Sequence, residues 1–376
     1  MTTPARPVYL DHAATAPMRP EAVSAMLPFL GEQFGNPSGS HAMARAARAA
    51  IEDAREVIAH ELRCDASEIV FTGGGTEADN LAVAGAAAGR RVCSAVEHHA
   101  VLRVVEHAGG VTVPVDRDGV VDVDALANEL RTDDAIVSVM LANNETGVVQ
   151  SLRDIAAAVR ERAPRAVLHT DAVAAFSWLD VGALANDADM ISVSAHKFGG
   201  PKGVGALMVR DGVKVDPLLL GGGQERERRS GTHNVAGIVG MAAAAAATGR
   251  DRAATVLRVG ALRDRLAAAI ASSTPGVVLT AATAARTAGT LHVQVDGVES
   301  ESLLIVLDDL GICASAGSAC ASGALEPSHV LAAMGVGNER ANGALRLSLG
   351  WSTSDADIDA AIVAVPKAIE TLRSRS

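Results

Sequence analysis

The residue with the clearest chemical potential in this sequence is Lys197. It follows the apolar run 190–193 and opens onto a turn, in the segment Ser-Ala-His-Lys-Phe-Gly-Gly-Pro at residues 194–201. A lysine amine at the end of a buried strand, beside a serine, a histidine and glycines, is suited to hold a carbonyl compound as a Schiff base. This arrangement predicts pyridoxal phosphate as the cofactor.

Polar residues also follow other predicted strands. Asp171 comes after the apolar strand 166–169, and Asn144 comes after the strand 135–141. In an open α/β sheet, ligands bind beyond the carboxyl ends of the strands, so we expect these residues to meet Lys197 in one crevice. An aspartate in that crevice can pair with a protonated pyridine nitrogen, which keeps the cofactor ring an electron sink.

A glycine-rich segment after the predicted strand 69–71 indicates a phosphate site. Gly75 and Thr76 precede a predicted helix, where backbone N–H groups and a hydroxyl can bind phosphate. A turn of this kind can also be purely structural. Its combination with Ser194 and His196 favours phosphate binding.

Two further residues have both a structural and a functional interpretation. His98 follows the predicted strand 91–96 and can stack on an aromatic cofactor and move protons, although a lone histidine is more often a packed core or surface residue. Arg346 shares one strand face with Ser348, because leucines alternate with polar residues over 344–350. Arg346 either binds a substrate carboxylate or faces solvent.

Cys320 lies in a stretch of small residues (314–323) that lacks hydrophobic periodicity. We expect an exposed, mobile loop whose thiol acts as a nucleophile. Cys64, at the end of a helix, and Cys93, within a strand, are expected to be packing residues. Neither a disulfide framework nor a metal site is predicted from the cysteine spacing.

Strands alternate with helical stretches from residue 68 to about 208, which predicts an α/β fold with a mostly parallel sheet. Two separate helices are expected over 235–248 and 253–272, and the alanine run within the first indicates close helix packing. We predict a large cofactor-binding domain at residues 16–252. Residues 1–15 and 253–376 are expected to form a smaller α+β domain that carries the Cys320 loop and Arg346.

Composition excludes several classes of function. The 376 residues carry a formal net charge of −11, and no basic block is present that would bind a phosphodiester backbone, so nucleic acid is not expected as a direct substrate. The amino terminus lacks the apolar core of a signal peptide, and no apolar run reaches the roughly 18 residues of a membrane span. A soluble, cytoplasmic protein is expected.

Taken together, these segments resemble the cysteine desulfurases, which are pyridoxal phosphate-dependent members of the class V aminotransferases. The resemblance spans nearly the whole chain, in the family's order, and rests on Tyr-Leu-Asp-His-Ala-Ala-Thr (9–15), Phe-Thr-Gly-Gly-Gly-Thr-Glu-Ala-Asp-Asn (71–80), Glu-His-His-Ala-Val (97–101), Asn-Asn-Glu-Thr-Gly (143–147), His-Thr-Asp-Ala (169–172), Ser-Ala-His-Lys (194–197), Gly-Gly-Gly-Gln-Glu (221–225), Arg-Ser-Gly-Thr (229–232) and the Cys320 segment through Glu-Pro-Ser (326–328). The small residues before Cys320 are similar to those of the long-loop group of these enzymes.

The resemblance implies the type I fold of pyridoxal phosphate-dependent transferases, with a seven-stranded type of sheet, and a homodimer. It implies that the cofactor is held by Lys197, by Asp171 at the pyridine nitrogen, by His98 stacked on the ring, by Gly75, Thr76, Ser194 and His196 around the phosphate, and by Thr232 from the neighbouring subunit. Asn144 and Arg346 are implied as ligands of the substrate carboxylate, and Asn144 also touches the phenolic oxygen of the cofactor.

The implied reaction converts L-cysteine to L-alanine and leaves the sulfur as a persulfide on Cys320. Lys197 and His98 are the implied catalytic partners of that cysteine. The sulfur then passes to an acceptor protein, in iron–sulfur cluster assembly or in thiolation.

One position departs from the family pattern. The family has glutamine three residues after the ring-nitrogen aspartate, and this chain has Ala174. Loss of one hydrogen bond of about 1 kcal/mol should weaken or retune cofactor binding without abolishing it. Selenocysteine lyase or another pyridoxal phosphate-dependent β-lyase, with a dispensable Cys320, is the alternative enzyme, and a catalytically weak sulfur-relay protein is the non-enzymatic alternative.

Overall fold

The computed structural model describes residues 7–317 and 328–374. The strands, in chain order, are β1 (Val8–Tyr9), β2 (Ile69–Thr72), β3 (Arg90–Ser94), β4 (Val111–Val113), β5 (Asp134–Ser138), β6 (Val167–Asp171), β7 (Met190–Ser194), β8 (Gly205–Val209), β9 (Val277–Leu279), β10 (Thr290–Val295), β11 (Ile312–Cys313) and β12 (Ala344–Ser348).

The α-helices are α1 (Pro20–Leu30), α2 (Ala42–Leu62), α3 (Gly75–Ala84), α4 (His99–His107), α5 (Val123–Glu129), α6 (Leu152–Arg162), α7 (Val181–Leu184), α8 (Val235–Ser273), α9 (Ser300–Asp309), α10 (His329–Ala333), α11 (Asn338–Ala341) and α12 (Asp355–Arg373). Short 3-10 turns occupy Ala66–Glu68, Ala195–Lys197 and Glu225–Glu227.

A seven-stranded sheet lies at the centre, in the order β2-β8-β7-β6-β5-β3-β4. The pairs from β7 to β4 are parallel, and β8 is antiparallel to both β2 and β7. Neighbouring residues such as Ile136 and Val137 belong to different apolar clusters, because successive strand side chains point to opposite faces. The predicted α/β fold with a mostly parallel sheet is confirmed.

A second apolar cluster surrounds the three-stranded antiparallel sheet β12-β10-β9. It includes Leu345 and Leu347 of β12 and also Val8 and Leu10 from the amino-terminal segment. β1 pairs in parallel with β11, and an isolated bridge joins Asp11 to Ser348. This pairing brings the start of the chain beside the strand that carries Arg346.

The two helices predicted over 235–248 and 253–272 are in fact one continuous helix, α8. Gly249 lies inside this helix where α8 passes α2, and a Cβ atom there would meet the Glu61 carboxylate. The predicted close packing of the alanine run is confirmed, since Ala244, Ala245 and Ala247 are fully buried. The predicted division of the chain near residue 252 falls within this helix and stays a prediction.

In the parts of the chain that the structure describes, no helix combines the length and the apolar character needed to cross a membrane. Cys320 and most of the loop predicted around it lie outside the described residues.

Candidate functional site

Lys197 lies in the 3-10 turn that directly follows β7. Its Nζ donates hydrogen bonds to the carbonyl oxygens of Ala13, at 2.5 Å, and Ala14, at 3.0 Å. Burial, followed by the charge of Arg346, lowers the pKa of this amine to about 8, although Asp171 and Asp11 oppose the shift. A lysine of this kind is partly neutral near physiological pH, which a nucleophilic amine requires.

Asp171 ends β6 and is 4% exposed. Its Oδ1 accepts a hydrogen bond of 2.8 Å from the Val173 N–H, and its charge acts on Lys197. Burial raises the pKa of this carboxyl group, and the Val173 N–H and the charge of Lys197 limit the rise. Asp171 therefore presents a buried acceptor close to the lysine.

His98 is the N-cap residue of α4, and its Nδ1 accepts a 3.1 Å hydrogen bond from the Ala100 N–H. That bond leaves the ring proton of the neutral form on Nε2. Burial, followed by the charge of Lys197, lowers the pKa of His98 to about 4, so the ring is neutral at physiological pH. The structure thus brings His98 within the electrostatic reach of Lys197.

The predicted phosphate ligands share one open cleft of about 750 Å³. Gly75, Thr76, Ser194 and His196 all line it, together with Lys202, a cation that the sequence did not single out. The amino terminus of α3 contributes backbone N–H groups and the positive end of the helix dipole, both of which favour anions.

Two residues that line this cleft, Ser194 and Gly75, support phosphate binding. The Ser194 Oγ is buried and has no hydrogen-bond partner among the described residues, which is costly unless a ligand supplies one. Gly75 is closely approached, because a Cβ atom there would lie 3.0 Å from Val173 Cγ2 and 3.3 Å from Ser194 Cβ. The residues present therefore fit pyridoxal phosphate: a phosphate cleft, a buried carboxylate and a lysine with a lowered pKa.

Arg346 occupies the middle of β12 and is 4% exposed, so the solvent-facing interpretation is wrong. Its Nη2 lies 2.8 Å from Asp11 Oδ1, and its Nη1 donates a 3.0 Å hydrogen bond to the backbone oxygen of Asn144. Its Nε is buried without a partner in the described part of the chain. Arg346 is thus a desolvated cation beside Asn144, as a carboxylate-binding role requires.

Ala174 lines a separate cavity of about 40 Å³. The cavity also borders Asn144, Lys197 and Ser177. Trp178, Trp351 and the two arginines Arg19 and Arg252 line it as well. The structure thus provides open space beside the one position that departs from the family pattern.

Two predicted site residues are not brought to this site in the described chain. Thr232 is exposed and does not line the phosphate cleft, and its predicted contact with a neighbouring subunit stays a prediction. Cys320 lies outside the described residues. The last residue described before it is Gly317, whose backbone oxygen is 3.5 Å from Arg346 Nη1. The first residue described after it is Ser328, whose hydroxyl donates a 2.5 Å hydrogen bond to Glu145.

Sequence reasoning did not single out Asp11, Glu145 or Asp79 as individual residues. Asp11 follows the short strand β1, and Asp79 lies one turn into the helix that starts at the phosphate cleft. In the sequence both are only polar residues within longer motifs, because the residues that they contact belong to distant segments. No local pattern indicates those partners.

The chain is similar to proteins of known family and activity. The aminotransferase class-V family model matches residues 8–361. The cysteine desulfurase IscS of Methanosarcina thermophila is 43% identical over 390 aligned positions, which cover 100% of this chain and 95% of that protein.

Solved structures show the same similarity. A NifS-like protein superposes with a TM-score of 0.91 at 32% identity, and the match covers 97% of this chain and 100% of that one. A structure described as SspA in complex with cysteine gives a TM-score of 0.78 at 31% identity, covering 91% of this chain and 98% of that one.

Proposed function

The chain belongs to the aminotransferase class-V family, and we propose that it acts as a pyridoxal phosphate-dependent cysteine desulfurase. The reaction converts L-cysteine to L-alanine and transfers the sulfur to the enzyme. The observation that carries the proposal is the position of Lys197, which lies in the turn after β7 and lines one cavity together with Asn144. The full-length similarity to named cysteine desulfurases supports it.

The residues of the site have separate tasks. Thr76, Ser194 and His196 would hold the phosphate group, Asp171 would bind the pyridine nitrogen, and His98 would contact the ring. When bound, pyridoxal phosphate supplies an electron sink that stabilises negative charge at the substrate α-carbon.

Arg346 and Asn144 orient the substrate through its carboxylate. The Arg346 guanidinium is fixed on a rigid strand and is buried, so its interaction with a carboxylate is strong. Lys197 moves the α-proton. Its amine, with a pKa of about 8, can both accept and return a proton near neutral pH.

Cys320 receives the sulfur in this proposal. The Cys320 thiolate attacks the substrate sulfur, a sulfur–sulfur bond forms, and the carbon–sulfur bond of the substrate breaks. The electron pair of that bond passes to the carbon skeleton, which takes up protons to become alanine. The persulfide then passes its outer sulfur to a thiol of an acceptor protein.

Several further elements belong to the proposal. Similarity to IscS supports a role in iron–sulfur cluster assembly. The proposal also includes a homodimer in which the partner subunit's Thr232 completes the phosphate site, a contact that the exposure of Thr232 permits. A cytoplasmic location and an acceptor protein of unidentified sequence complete it.

A cysteine turnover assay tests the proposal directly. Purified protein is incubated with L-cysteine, alanine and sulfide are quantified, and mass spectrometry locates added sulfur on the Cys320 peptide. We expect one added sulfur on Cys320 and alanine production in proportion. Cys320→Ala should retain cofactor absorbance and lose sulfide release.

The matched control is Cys313→Ala, which removes a half-buried thiol on β11 and should leave persulfide formation unchanged. Sulfide release at the wild-type rate by Cys320→Ala would contradict the role of Cys320. The absence of alanine formation in the wild type would contradict the activity itself.

A further inference from the structure

A row of polar side chains is buried beneath Asp171, across three neighbouring strands. In the parallel registers, Ser138 of β5 lies opposite His169 of β6, and Ser192 of β7 lies opposite Asp171 of β6. His169 Nδ1 is 2.8 Å from Ser138 Oγ, and His169 Nε2 is 2.9 Å from Ser192 Oγ. The three inner residues of the row, Ser138, His169 and Ser192, are fully buried.

Helix α3 adds a second carboxyl group to this row. Asp79 lies one helical turn after Gly75 and is 1% exposed. Its Oδ1 lies 3.7 Å from His169 Nε2, and the Ser192 hydroxyl lowers the pKa of its carboxyl group. That Oδ1 is buried and has no hydrogen-bond partner among the described residues. The helix that starts at the phosphate cleft therefore also delivers an acid beside the strand partner of Asp171.

The surroundings of Asp79 and Asp171 are unequal. Asp171 accepts a backbone N–H and is stabilised by the charge of Lys197. For Asp79, among the residues that the structure describes, only the Ser192 hydroxyl favours the ionised form, and burial and the charge of Asp171 raise its pKa. Two buried carboxyl groups whose charges act on each other cannot both be ionised cheaply, so one of them retains a proton.

His169 does not supply a positive charge that would allow both carboxyl groups to be ionised. Burial lowers the pKa of His169 to about 3, and both of its ring nitrogens already contact hydroxyl groups. The distance of 3.7 Å to Asp79 Oδ1 is also longer than a hydrogen bond. Burial is the main reason that the pKa values of Asp79 and Asp171 are both raised, and the charge of Asp171 raises that of Asp79 further.

We propose that Asp79 is a positioning residue that holds a proton beside Asp171, so that this buried pair carries a single negative charge, located on Asp171. The Asp79 Oδ1, which has no hydrogen-bond partner among the described residues, then belongs to a neutral carboxylic acid. Burial of such an acid costs far less free energy than burial of an unpaired carboxylate. Asp171 stays ionised and free to bind a cationic ring nitrogen. Only that last role of Asp171 rests on the proposed function, because the location of the proton is a property of the protein itself.

Infrared spectroscopy of the full-length protein tests the location of the proton. Aspartate labelled with carbon-13 at its side-chain carboxyl carbon is incorporated, and the carbonyl stretch of protonated carboxylic acid is recorded at neutral pH. We expect a label-sensitive band in the wild type that is lost in Asp79→Asn. The control Glu97→Gln removes another buried acid and should leave the band unchanged, because glutamate is not labelled.

Two results would overturn the proposal. Survival of the band in Asp79→Asn with its loss in Asp171→Asn would place the proton on Asp171. The absence of any such band in the wild type would indicate an ionised Asp79 paired with a protonated His169. If Asp79→Asn does not fold, retention of the band in Asp171→Asn still assigns the proton to Asp79.

The holoenzyme gives a second measurement. Asparagine is the same size as a protonated aspartate and has the same charge, so Asp79→Asn should bind pyridoxal phosphate within about threefold of the wild type and keep the pH dependence of its absorbance. Asp79→Leu, which cannot bond Ser192, should shift that pH dependence. An equal shift in both variants would contradict the protonated state. Loss of desulfurase activity would leave the infrared result intact, so the two proposals can fail separately.

Discussion

Arg346 and Asp11 form an ion pair across the junction between the carboxyl-terminal strand β12 and the amino-terminal segment. Arg346 Nη2 lies 2.8 Å from Asp11 Oδ1, with side-chain exposures of 5% and 22%. The residue proposed to bind the substrate carboxylate therefore already holds a carboxylate of the protein. A substrate carboxylate must compete with Asp11 or bind at Nε of the guanidinium, which has no partner among the residues that the structure describes.

The Asp11→Asn variant tests whether Asp11 competes with the substrate carboxylate for Arg346 or holds Arg346 in its binding orientation. If Asp11 competes with the substrate, its neutral isostere should lower the KM for cysteine by about tenfold, the value of one charge-assisted hydrogen bond. The variant should also be less stable, because Arg346 loses its buried counter-charge. KM and the urea unfolding midpoint provide the check.

The control is Asp309→Asn, an exposed residue near the end of α9, which should change neither quantity. A KM that rises in Asp11→Asn would show instead that Asp11 holds Arg346 in its binding orientation.

Ala174→Gln should tighten the binding of pyridoxal phosphate. The glutamine amide has space in the cavity that Ala174 lines beside Lys197, and one added hydrogen bond of about 1 kcal/mol corresponds to about fivefold in Kd. Absorbance titration of cofactor-free protein measures this constant.

Ala174→Leu is the matched control, since it fills similar space without an amide. Equal tightening in both variants would mean that packing, and not a hydrogen bond, accounts for the gain.

The rate of cofactor binding should depend on the pKa of Lys197. A lysine must be neutral to attack the cofactor aldehyde, and burial lowers the pKa of Lys197 to about 8. The rate should therefore rise with pH up to about 8 and level off above it. Stopped-flow absorbance at a series of pH values measures the rate.

Lys197→Ala gives the background signal and should show no such absorbance change. A rate that is constant between pH 6 and 9 would contradict a titrating lysine.

Glu225 and Arg55 predict a pH-dependent contribution to stability. Their side chains are 1% and 4% exposed and form two hydrogen bonds of 2.8 Å. Burial opposes the ionisation of Glu225, but Arg55, His233 and the Phe71 N–H outweigh it and lower its pKa to about 2. Because the folded-state pKa is below the unfolded value, this stability is present above about pH 4.5 and is lost as the pH falls towards 2.

Glu225→Gln should reduce the free energy of unfolding by about 3 kcal/mol at pH 7, because it removes the buried counter-charge of Arg55 and leaves only the half-exposed Glu52, 3.2 Å from Arg55 Nε. The loss should be smaller at pH 3, where the carboxyl group of the unfolded chain is protonated. Urea unfolding at both pH values measures it, with the exposed neighbour Glu227→Gln as a control that should stay within about 0.5 kcal/mol of the wild type. An equal loss at pH 7 and pH 3 would contradict an ionised Glu225.

Local patterns in the sequence were sufficient to predict most of the sheet. Apolar runs of a few residues ended at polar residues. Asp171 is indeed the last residue of β6, and Lys197 lies in the turn that directly follows β7. The alternation around Arg346 predicted which leucines face the core, and Leu345 and Leu347 are fully buried. These predictions succeeded because strand periodicity and the position of a residue at a strand end are local properties.

The features that the sequence did not predict depend on contacts between distant segments. Two helices were predicted over 235–248 and 253–272, yet α8 is continuous, and Gly249 within it lies against the carboxylate of Glu61 of α2. The burial of Arg346 likewise depends on Asp11, which is 335 residues away in the chain. No window of sequence contains both partners.

The sequence by itself determined the family, the cofactor and the residues at the strand ends, because the chemistry of each short segment is recorded in its residue types and spacing. Only the tertiary structure decided which charges meet. The pairing of Arg346 with Asp11, and the placement of Asp79 beside the strand partner of Asp171, follow from strand register and helix position, which bring together segments far apart in the chain. Burial then sets the ionisation of these groups, because removal from water makes each charge depend on its nearest partners.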